Sequence, residues 1–269
     1  MKVYKALTIA GSDSGGGAGI QADLKTFQEL RVFGMSAITA ITAQNTLGVQ
    51  GVYPLALEAV IQQIDSIEQD LRPHAVKTGM LFSGEIIAAV AERVKKYQWD
   101  NLVVDPVMIA KGGAPLLQEE AVHALKTCLV PLAKVITPNI PEAEVLTGIE
   151  IIDMNARKEA AKMLHEMGAE HVVLKGGHGT DEELVDLLYN GKQFFEWTSP
   201  RIQTKHTHGT GCTFAAAITS ELAKGRTVEE AVEIAKSFIR AAIEDELGIG
   251  QGHGPTNHWA YRHREVVLP

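Results

Sequence analysis

The chain contains 269 residues, of which 45% are hydrophobic and 22% are charged, and its formal net charge is -8. This is the composition of an ordinary globular protein, and the acidic balance argues against a protein that binds nucleic acid over a whole surface, because such binding needs clustered lysine and arginine. It does not exclude the binding of one small phosphate group, which backbone amides can hold without net positive charge.

The start of the chain and its two cysteines argue against a secreted, a membrane-spanning and a disulfide-rich protein. The apolar stretch after Lys5 ends at Gly11, which is too short for a signal peptide, and no apolar run approaches the roughly 18 residues needed to span a membrane. Cys128 and Cys212 do not form a C-x-x-C pair, so the chain is not a disulfide scaffold. We therefore expect a cytoplasmic protein that binds neither nucleic acid nor membranes.

Short apolar runs, often β-branched, alternate along the chain with amphipathic segments of helical length. The predicted strands are 6–9, 36–43, 75–78, 102–104, 135–137 and 172–174, and a predicted hairpin, 183–190 with 193–197, adds antiparallel edge strands. Helical spacing predicts helices over 57–71, 85–97, 156–167, 212–224 and 227–246. The alternation predicts an α/β fold with a mostly parallel sheet between two helical layers, and the lack of a linker or repeat predicts one domain over residues 1–269.

Several predicted strands end directly in polar or glycine-rich clusters. These clusters begin at Gly11, Gln44, Gly79, Asp105, Pro138 and Lys175. In sheets of this kind, ligands bind beyond the carboxyl ends of the strands. The clusters therefore predict one binding site along a single edge of the sheet.

The first glycine-rich segment, residues 11–23, follows a predicted strand and precedes a helix. It does not match the dinucleotide-binding pattern, because Ile20 stands at the place of the third glycine, and it does not match the P-loop, because Leu24 precedes Lys25 and Thr26. The segment is either a ligand loop of another kind or a flexible start of the helix. Asp23, near the start of that helix, is a candidate hydrogen-bond partner for a substrate.

Two other strand ends carry carboxylates suited to a hard cation. Asp105 follows one strand, and Asn139 and Glu142 follow another. Mg2+ commonly takes one or two protein carboxylates and completes its shell with water and phosphate oxygens. Each residue also has a structural explanation, since Asp105 can form a turn with Pro106 and Glu142 can stabilise the first turn of a helix.

The second glycine-rich segment runs from Thr207 to Thr213 and leads into an alanine-rich helix. Gly209 and Gly211 permit close backbone approach, and the free amides of the first helical turn form an anion site that suits a phosphoryl group. The structural alternative is a plain glycine-rich start of a helix. Cys212 lies at the helix start, where we expect a lowered thiol pKa and a role as base, whereas Cys128 is expected to be a core residue.

Taken together, these segments resemble the ribokinase-like superfamily, and within it the hydroxymethylpyrimidine kinase/phosphomethylpyrimidine kinase branch of thiamine synthesis. The matching segments are 10–27, 42–46, 77–81, 104–108, 136–143, 175–178 and 204–213, and include A-G-S-D-S-G-G-G at 10–17 and H-G-T-G-C-T at 208–213. Each is weak alone, but the ordered set covers nearly the whole chain. The resemblance implies a three-layer α/β/α kinase that uses ATP and Mg2+ to phosphorylate hydroxymethylpyrimidine and then its monophosphate.

The resemblance also implies roles for single residues. The residues implied to contact the heteroaromatic substrate are Gly11, Asp23, Gln44, Met80 and Val107. Those implied to contact the nucleotide are Lys175, Asn139, Thr207 and Thr210, and those implied to organise Mg2+ are Asp105 and Glu142, together with Asn139. Cys212 would act as base, and the amides of Gly209, Gly211 and Cys212 would form the anion hole. Members of this branch tend to be homodimers.

Three other functions share parts of this pattern. A pyridoxal or pyridoxine kinase shares the fold and the cysteine, and dual activity is compatible with the motifs. The planar amide of Gln44 matches an aminopyrimidine edge and favours the pyrimidine. A sugar kinase of the superfamily is expected to have an aspartate in place of Cys212, and a regulatory module without catalysis would lose the metal carboxylates or the base, which are present here.

The C-terminal segment is rich in histidine. His253, His258 and His263 do not have the spacing of a zinc site. We expect a polar surface loop here, with residues 250–257 folding over the pocket.

Overall fold

The computed structural model describes residues 2–108, 119–177 and 182–267. Its strands are β1 (Lys5–Asp13), β2 (Phe33–Asn45), β3 (Gly48–Pro54), β4 (Ala75–Thr78), β5 (Leu102–Val104), β6 (Val135–Ile136), β7 (His171–Leu174), β8 (Glu183–Tyr189) and β9 (Phe194–Pro200). Its α-helices are α1 (Gly19–Glu29), α2 (Leu57–Asp70), α3 (Gly84–Tyr97), α4 (Glu119–Ala124), α5 (Ile140–Thr147), α6 (Met154–Glu166), α7 (Thr210–Ala223), α8 (Val228–Glu244) and α9 (Ala260–Val267). A π-helical turn, Leu125–Leu129, follows α4.

The described strands form one sheet in the order β3-β2-β1-β4-β5-β6-β7-β8-β9. The strands from β2 to β7 in this order are parallel, and β3, β8 and β9 are antiparallel to their neighbours. This arrangement confirms the predicted fold class and the predicted hairpin. The sequence pattern does not predict β3, because Gly48 and Gly51 interrupt its β-branched residues.

Alternating side chains of the central strands pack against two different helical layers. Leu102 and Val104 of β5 belong to the core formed with α2, α3 and α6, whereas Val103 belongs to the core formed with α7 and α8. Both faces are therefore buried, which explains why the central strands are continuously apolar in sequence.

Helix α7 is the most deeply buried helix of the site. Every residue from Thr213 to Ala223 is buried, and the helix packs against α1, α8 and the strands β1, β4 and β5. The run of alanines at 215–217 allows this close approach to neighbouring backbones. The tight packing fixes the first turn of α7 against the centre of the sheet edge where the parallel strands end.

None of the helices in the described ranges is both long enough and apolar enough to cross a membrane.

Candidate active site

A cavity of about 880 Å³ lies at the carboxyl ends of the parallel strands. It contains all of the residues that the sequence assigned to a site, with Asp23 as the exception: Gly11, Gln44, Met80, Asp105, Val107, Asn139, Glu142, Lys175, Thr207, Gly209, Thr210, Gly211 and Cys212. The prediction that the polar and glycine-rich clusters at the strand ends lie along one edge of the sheet is therefore confirmed. His178, from one of the matching segments, lies outside the described residues.

Asp105 and Lys175 form a charged pair on one side of the cavity. Lys175 Nζ donates to Asp105 Oδ1 at 3.2 Å, and Thr137 Oγ1 donates to the same oxygen at 3.3 Å. The other oxygen, Oδ2, is buried and has no hydrogen-bond partner within the described residues. Burial alone would lower the pKa of the Lys175 ammonium, but Asp105 and Glu142 raise it above its ordinary value, so the lysine stays charged.

Glu142 lies in the first turn of α5 and has two functions available to it. It forms a reciprocal capping box with Asn139, because Glu142 Oε2 accepts from the Asn139 amide at 2.8 Å and Asn139 Oδ1 accepts from the Glu142 amide at 2.9 Å. This contact involves one carboxylate oxygen of Glu142, Oε2, and leaves Oε1 for another contact. Burial raises the pKa of Glu142 to about 7, although Lys175 opposes the shift. The structural explanation is thus correct for Glu142, and it does not exclude a metal contact.

The donor set at this end of the cavity fits Mg2+. Two carboxylates, Asp105 and Glu142, face the cavity, and a buried carboxylate oxygen without a partner is costly unless a cation or donor satisfies it. No cluster of three or more metal-binding side chains occurs in the part of the chain that the structure describes. Mg2+ in proteins is commonly held by one or two carboxylates and otherwise by water and phosphate oxygens, which is the set that Asp105 and Glu142 could provide.

The second glycine turn leaves its amides open to the cavity. Gly209 precedes α7 with a φ of 82°, which favours glycine, and no side chain from the described ranges caps the helix. The first amides of a helix have no partner within the helix. A Cβ placed on Gly211 would lie 3.4 Å from Lys175 Nζ and 4.0 Å from Asp105 Oδ2, so this turn faces the charged pair.

The expectation of a lowered pKa at Cys212 is wrong for the ligand-free protein. Cys212 lines the cavity, and burial of the thiol raises its pKa to about 11, although the nearby Lys77 ammonium opposes the shift. Removal from water outweighs the favourable helix terminus because desolvation penalises the thiolate directly. Cys212 is therefore a thiol at neutral pH.

Asp23 does not lie where the sequence placed it. Its side chain is fully buried, does not line the cavity, and accepts hydrogen bonds from Lys77 Nζ at 2.9 and 3.1 Å and from Thr8 Oγ1 at 2.6 Å. Because the side chain does not line the cavity, a substrate in the cavity does not meet its oxygens directly. The arrangement instead supports an indirect role, in which Asp23 holds Lys77, a cavity residue, beside the site.

Lys77 is a functional candidate that the sequence reasoning missed. Burial alone would lower its pKa, but Asp23, Cys212 and Asp105 raise it, so the ammonium persists although the side chain is not exposed to solvent. The available signal was a lysine inside the apolar strand Ala75–Thr78, all of which is buried. A charge placed there requires a partner, and the pattern did not show which one.

The opposite side of the cavity carries the residues assigned to the heteroaromatic substrate. A Cβ on Gly11 would lie 2.4 Å from Met80 Cε, so the absence of a side chain at 11 admits Met80 beside the pocket. The Gln44 amide lies between Thr42 and His208, with Oε1 3.0 Å from Thr42 Oγ1 and Nε2 3.4 Å from His208 Nε2, and these contacts orient the plane of the amide. This side therefore presents an apolar wall and one oriented planar amide.

The first glycine turn is folded around the carboxylate of Asp13. The oxygens of Asp13 accept from the amides of Gly15 at 2.8 Å, Gly17 at 3.0 Å and Ala18 at 2.8 Å. They also lie 2.8 Å from Nε2 of His208 in the second turn. Asp13 and His208 were not among the candidates from the sequence. A glycine-rich pattern does not show which side chain accepts hydrogen bonds from its backbone amides.

The C-terminal segment packs behind the site. His253 donates its amide to the Thr46 carbonyl at 2.8 Å, and no residue of 250–257 lines the cavity, so the expectation that this segment folds over the pocket is wrong. His253 and His263 are exposed as expected. His258 is buried beside Thr213 Oγ1, at 3.0 Å, and burial lowers its pKa to about 4, so it is not part of a polar surface.

Comparison with known proteins agrees with this geometry. The phosphomethylpyrimidine kinase family matches residues 13–257. The chain is 60% identical over 267 residues to the hydroxymethylpyrimidine/phosphomethylpyrimidine kinase of Bacillus subtilis, which covers 99% of this chain and 98% of that protein. It is 58% identical over 264 residues to the protein of the same name from Haemophilus influenzae, and the match covers 96% of this chain and 98% of that protein.

Among solved structures, an ADP complex of Bacillus subtilis pyridoxal kinase superposes with a TM-score of 0.90 at 46% identity, covering 97% of this chain and 100% of that chain. The similarity confirms the ribokinase-like three-layer fold and a kinase that uses an adenine nucleotide. The family match extends over most of the chain and includes both glycine turns. The chain belongs to the phosphomethylpyrimidine kinase family.

Proposed function

We propose that this kinase transfers the terminal phosphoryl group of ATP to the hydroxymethyl group of hydroxymethylpyrimidine and then to the resulting monophosphate. The observation that carries the proposal is that one cavity contains both the uncapped turn at Gly209–Cys212 and the oriented amide of Gln44. The first suits a phosphoryl group, and the second suits an aminopyrimidine edge.

The donor side of the reaction depends on positioning and charge. Lys175 binds phosphate oxygens of ATP, and the amides of Gly211 and Cys212 hold the transferring group where its charge changes. Asp105 and Glu142 would hold Mg2+, which neutralises phosphate charge when it is bound. Asn139, Thr207 and Thr210 line the same part of the cavity and complete the contacts to the nucleotide.

Cys212 acts on the attacking hydroxyl group. With a pKa of about 11 it is uncharged at neutral pH, so in the ground state it orients the hydroxyl group by a hydrogen bond. Phosphoryl transfer passes through a loose transition state in which the hydroxyl proton leaves late, so a strong base is not required beforehand. The ammonium of Lys77 favours the thiolate. The minor thiolate form, reached when the thiol loses its proton to water, accepts the hydroxyl proton as the new O–P bond forms and so returns to the thiol.

The acceptor side reads the shape and polarity of the ring. Met80 and Val107 contact the faces of the ring, Gly11 admits its edge, and the Gln44 amide pairs with the amino group and ring nitrogen. The similarity to a pyridoxal kinase supports phosphorylation of pyridoxal as a second activity of the same site. Gln44 favours the pyrimidine between the two.

A coupled ATP assay with hydroxymethylpyrimidine, its monophosphate and pyridoxal side by side tests the proposal. We expect turnover of both pyrimidines and weaker turnover of pyridoxal. Gln44→Met should reduce kcat/KM for the pyrimidine by about 10-fold to 100-fold and leave that for pyridoxal nearly unchanged, because a site that pairs polar groups loses most when a pairing group is removed. Equal losses on both substrates would assign Gln44 a structural role, and turnover of neither pyrimidine would refute the function.

We also infer a cytoplasmic homodimer in which residues 1–269 form a single kinase domain. The described strands form one sheet, and the exposed apolar side chains of Ile41 and Tyr53 lie at paired positions of β2 and β3 at the edge of that sheet, where a second copy can cover them. Light scattering should give twice the mass of one chain, and Tyr53→Lys should shift the protein toward monomer. A monomeric parent protein would contradict the inference.

A further inference from the structure

The two glycine turns contact each other through their backbones. Gly17 in the first turn and Gly209 in the second lie so close that a Cβ on Gly209 would be 1.7 Å from the Gly17 carbonyl oxygen. A Cβ on Gly17 would be 2.5 Å from the His208 ring. Asp13 and Ala18 of the first turn and His208 and Gly209 of the second line the cavity, so the two turns meet at its wall.

A hydrogen bond between the side chains of Asp13 and His208 joins these turns, and both partners are held in place by further contacts. Asp13 is almost fully buried and holds three amides of the first turn, and its remaining contact is with His208. The backbone of His208 pairs with the C-terminal segment, through its amide to the Gly254 carbonyl at 3.1 Å and its carbonyl to the Thr256 amide at 3.3 Å. The imidazole is thus a rigid connection between the first turn and the base of the second.

The protonation of this contact follows from its chemistry. Burial alone would raise the pKa of Asp13, but the bonds from His208, Ala18 and Gly15 lower it below its ordinary value, so the carboxylate is ionised and can only accept. His208 Nε2 must then carry the hydrogen. Gln44 Nε2 lies 3.4 Å from the same nitrogen; both are donors in this state, so these two atoms do not hydrogen-bond to each other.

We propose that His208 is a positioning residue whose hydrogen bond to Asp13 holds the first glycine turn on the second and so sets the distance between the acceptor hydroxyl group and the phosphoryl donor. We name this contact the Asp13–His208 clasp. The inference rests on the proposed function for the identity of the reacting groups. The clasp also keeps the two turns together in the wall of the cavity, and so limits the access of water to the transferring phosphoryl group at this point.

The decisive variant is His208→Leu, which keeps a side chain of similar size and removes the donor. We expect kcat on the pyrimidine to fall about 100-fold, since a displacement of about 1 Å between reacting groups costs that much. Affinity for an ATP analogue, measured by calorimetry, should change little, and the ratio of ADP formed to phosphorylated product should rise. His208→Gln, which places an amide N–H at a similar reach, should recover most of the turnover.

His206→Leu is the matched control. His206 lies two residues earlier and accepts from the Gly254 amide at 3.1 Å, but it neither contacts Asp13 nor lines the cavity. It should retain the turnover and coupling of the parent. Gly17→Ala provides a second, independent variant, because its Cβ would push against the His208 ring without changing any charge, and it should reproduce the uncoupling.

A measurement without substrate separates this inference from the proposed function. Hydrogen exchange of the Gly15, Gly17 and Ala18 amides should accelerate in His208→Leu and not in His206→Leu. A parent enzyme inactive on the pyrimidines refutes the proposed function, while the exchange rates still decide the clasp. Unchanged exchange in His208→Leu, or turnover and coupling equal to the parent in that variant, would overturn the inference.

Discussion

Both glycine turns are rich in glycine, but their backbone amides have different partners. In the first turn the amides of Gly15, Gly17 and Ala18 converge on the chain's own Asp13 carboxylate. In the second turn, at the start of α7, no side chain of the described residues caps the amides, and they face Lys175 and Asp105. The first turn is therefore an internally satisfied structure, and the second is an open anion site.

This difference shows that the number of glycines does not identify a phosphate site. A nearby carboxylate that fits the amides removes them from use by a ligand, and a buried helix start without a cap keeps them available. The substitutions below test whether the second turn binds phosphate, while the first turn contributes stability and positioning and leaves nucleotide binding intact.

Cys212→Ser should have the largest effect. We expect kcat to fall by about 100-fold to 10,000-fold with the fold and nucleotide affinity retained, because serine is a much poorer proton acceptor. Cys128→Ser, which changes the other free cysteine, is the control and should behave as the parent. Alkylation by iodoacetamide should accelerate as the pH rises toward the thiol pKa of about 11. Turnover of Cys212→Ser near the parent rate would show that the cysteine only packs.

Lys175→Ala should have the next largest effect. Removal of the ammonium beside the open turn should weaken ATP binding by about 10-fold to 100-fold, as expected for loss of a charged hydrogen bond of about 1.5–3 kcal/mol. Binding of the pyrimidine alone should change little, because Lys175 lies on the donor side. Calorimetry with each ligand separately measures both values. Unchanged nucleotide affinity would place the phosphates elsewhere.

Glu142 should make the Mg2+ affinity of the site depend on pH. Its pKa of about 7 means that a proton must leave before the carboxylate can bind a cation. From pH 6 to pH 8, the ionised fraction and the apparent Mg2+ affinity should each rise about 10-fold. Glu142→Gln should abolish this dependence. Because the pKa is raised by folding, this group stabilises the ligand-free fold as the pH falls from about 7 toward its ordinary value of 4.5.

Asp13→Asn should have the smallest effect on nucleotide binding and a measurable effect on stability. Loss of the charge should lower the free energy of unfolding by about 1–3 kcal/mol, because three amides and His208 lose a charged acceptor. Since folding lowers the pKa of Asp13, its stabilisation is complete above the ordinary value of 3.8 and fades as the pH falls below it. Denaturation of parent and variant should therefore converge at low pH. A large loss of ATP affinity in Asp13→Asn would break the distinction between the turns.

The fold and the location of the site follow from local features of the sequence. Apolar runs such as Leu102–Val104 and the amphipathic segments between them determine a parallel sheet, and polar clusters at the strand ends mark its functional edge. The edge strand β3 escapes this reasoning, because its pairing with β2 depends on tertiary contact more than on its glycine-containing sequence.

The contacts within the site were less predictable, because they join residues that are distant in the sequence. The pairing of Asp23 with Lys77 and of Asp13 with His208 cannot be derived from spacing, and each changes the role of a conspicuous residue. At Cys212 the helix terminus favours a lower thiol pKa and burial favours a higher one. Only the folded structure shows that burial has the larger effect.

The most direct test of the distinction between the turns is residue-resolved hydrogen exchange of the amides, with and without Mg2+ and the ATP analogue AMP-PCP. The account predicts that the nucleotide slows exchange at Gly211 and Cys212 and leaves Gly15, Gly17 and Ala18 as they were, because the second turn has amides free for phosphate and the amides of the first turn are bound to Asp13. Protection of the first turn alone, or no protection at Gly211 and Cys212, would contradict it.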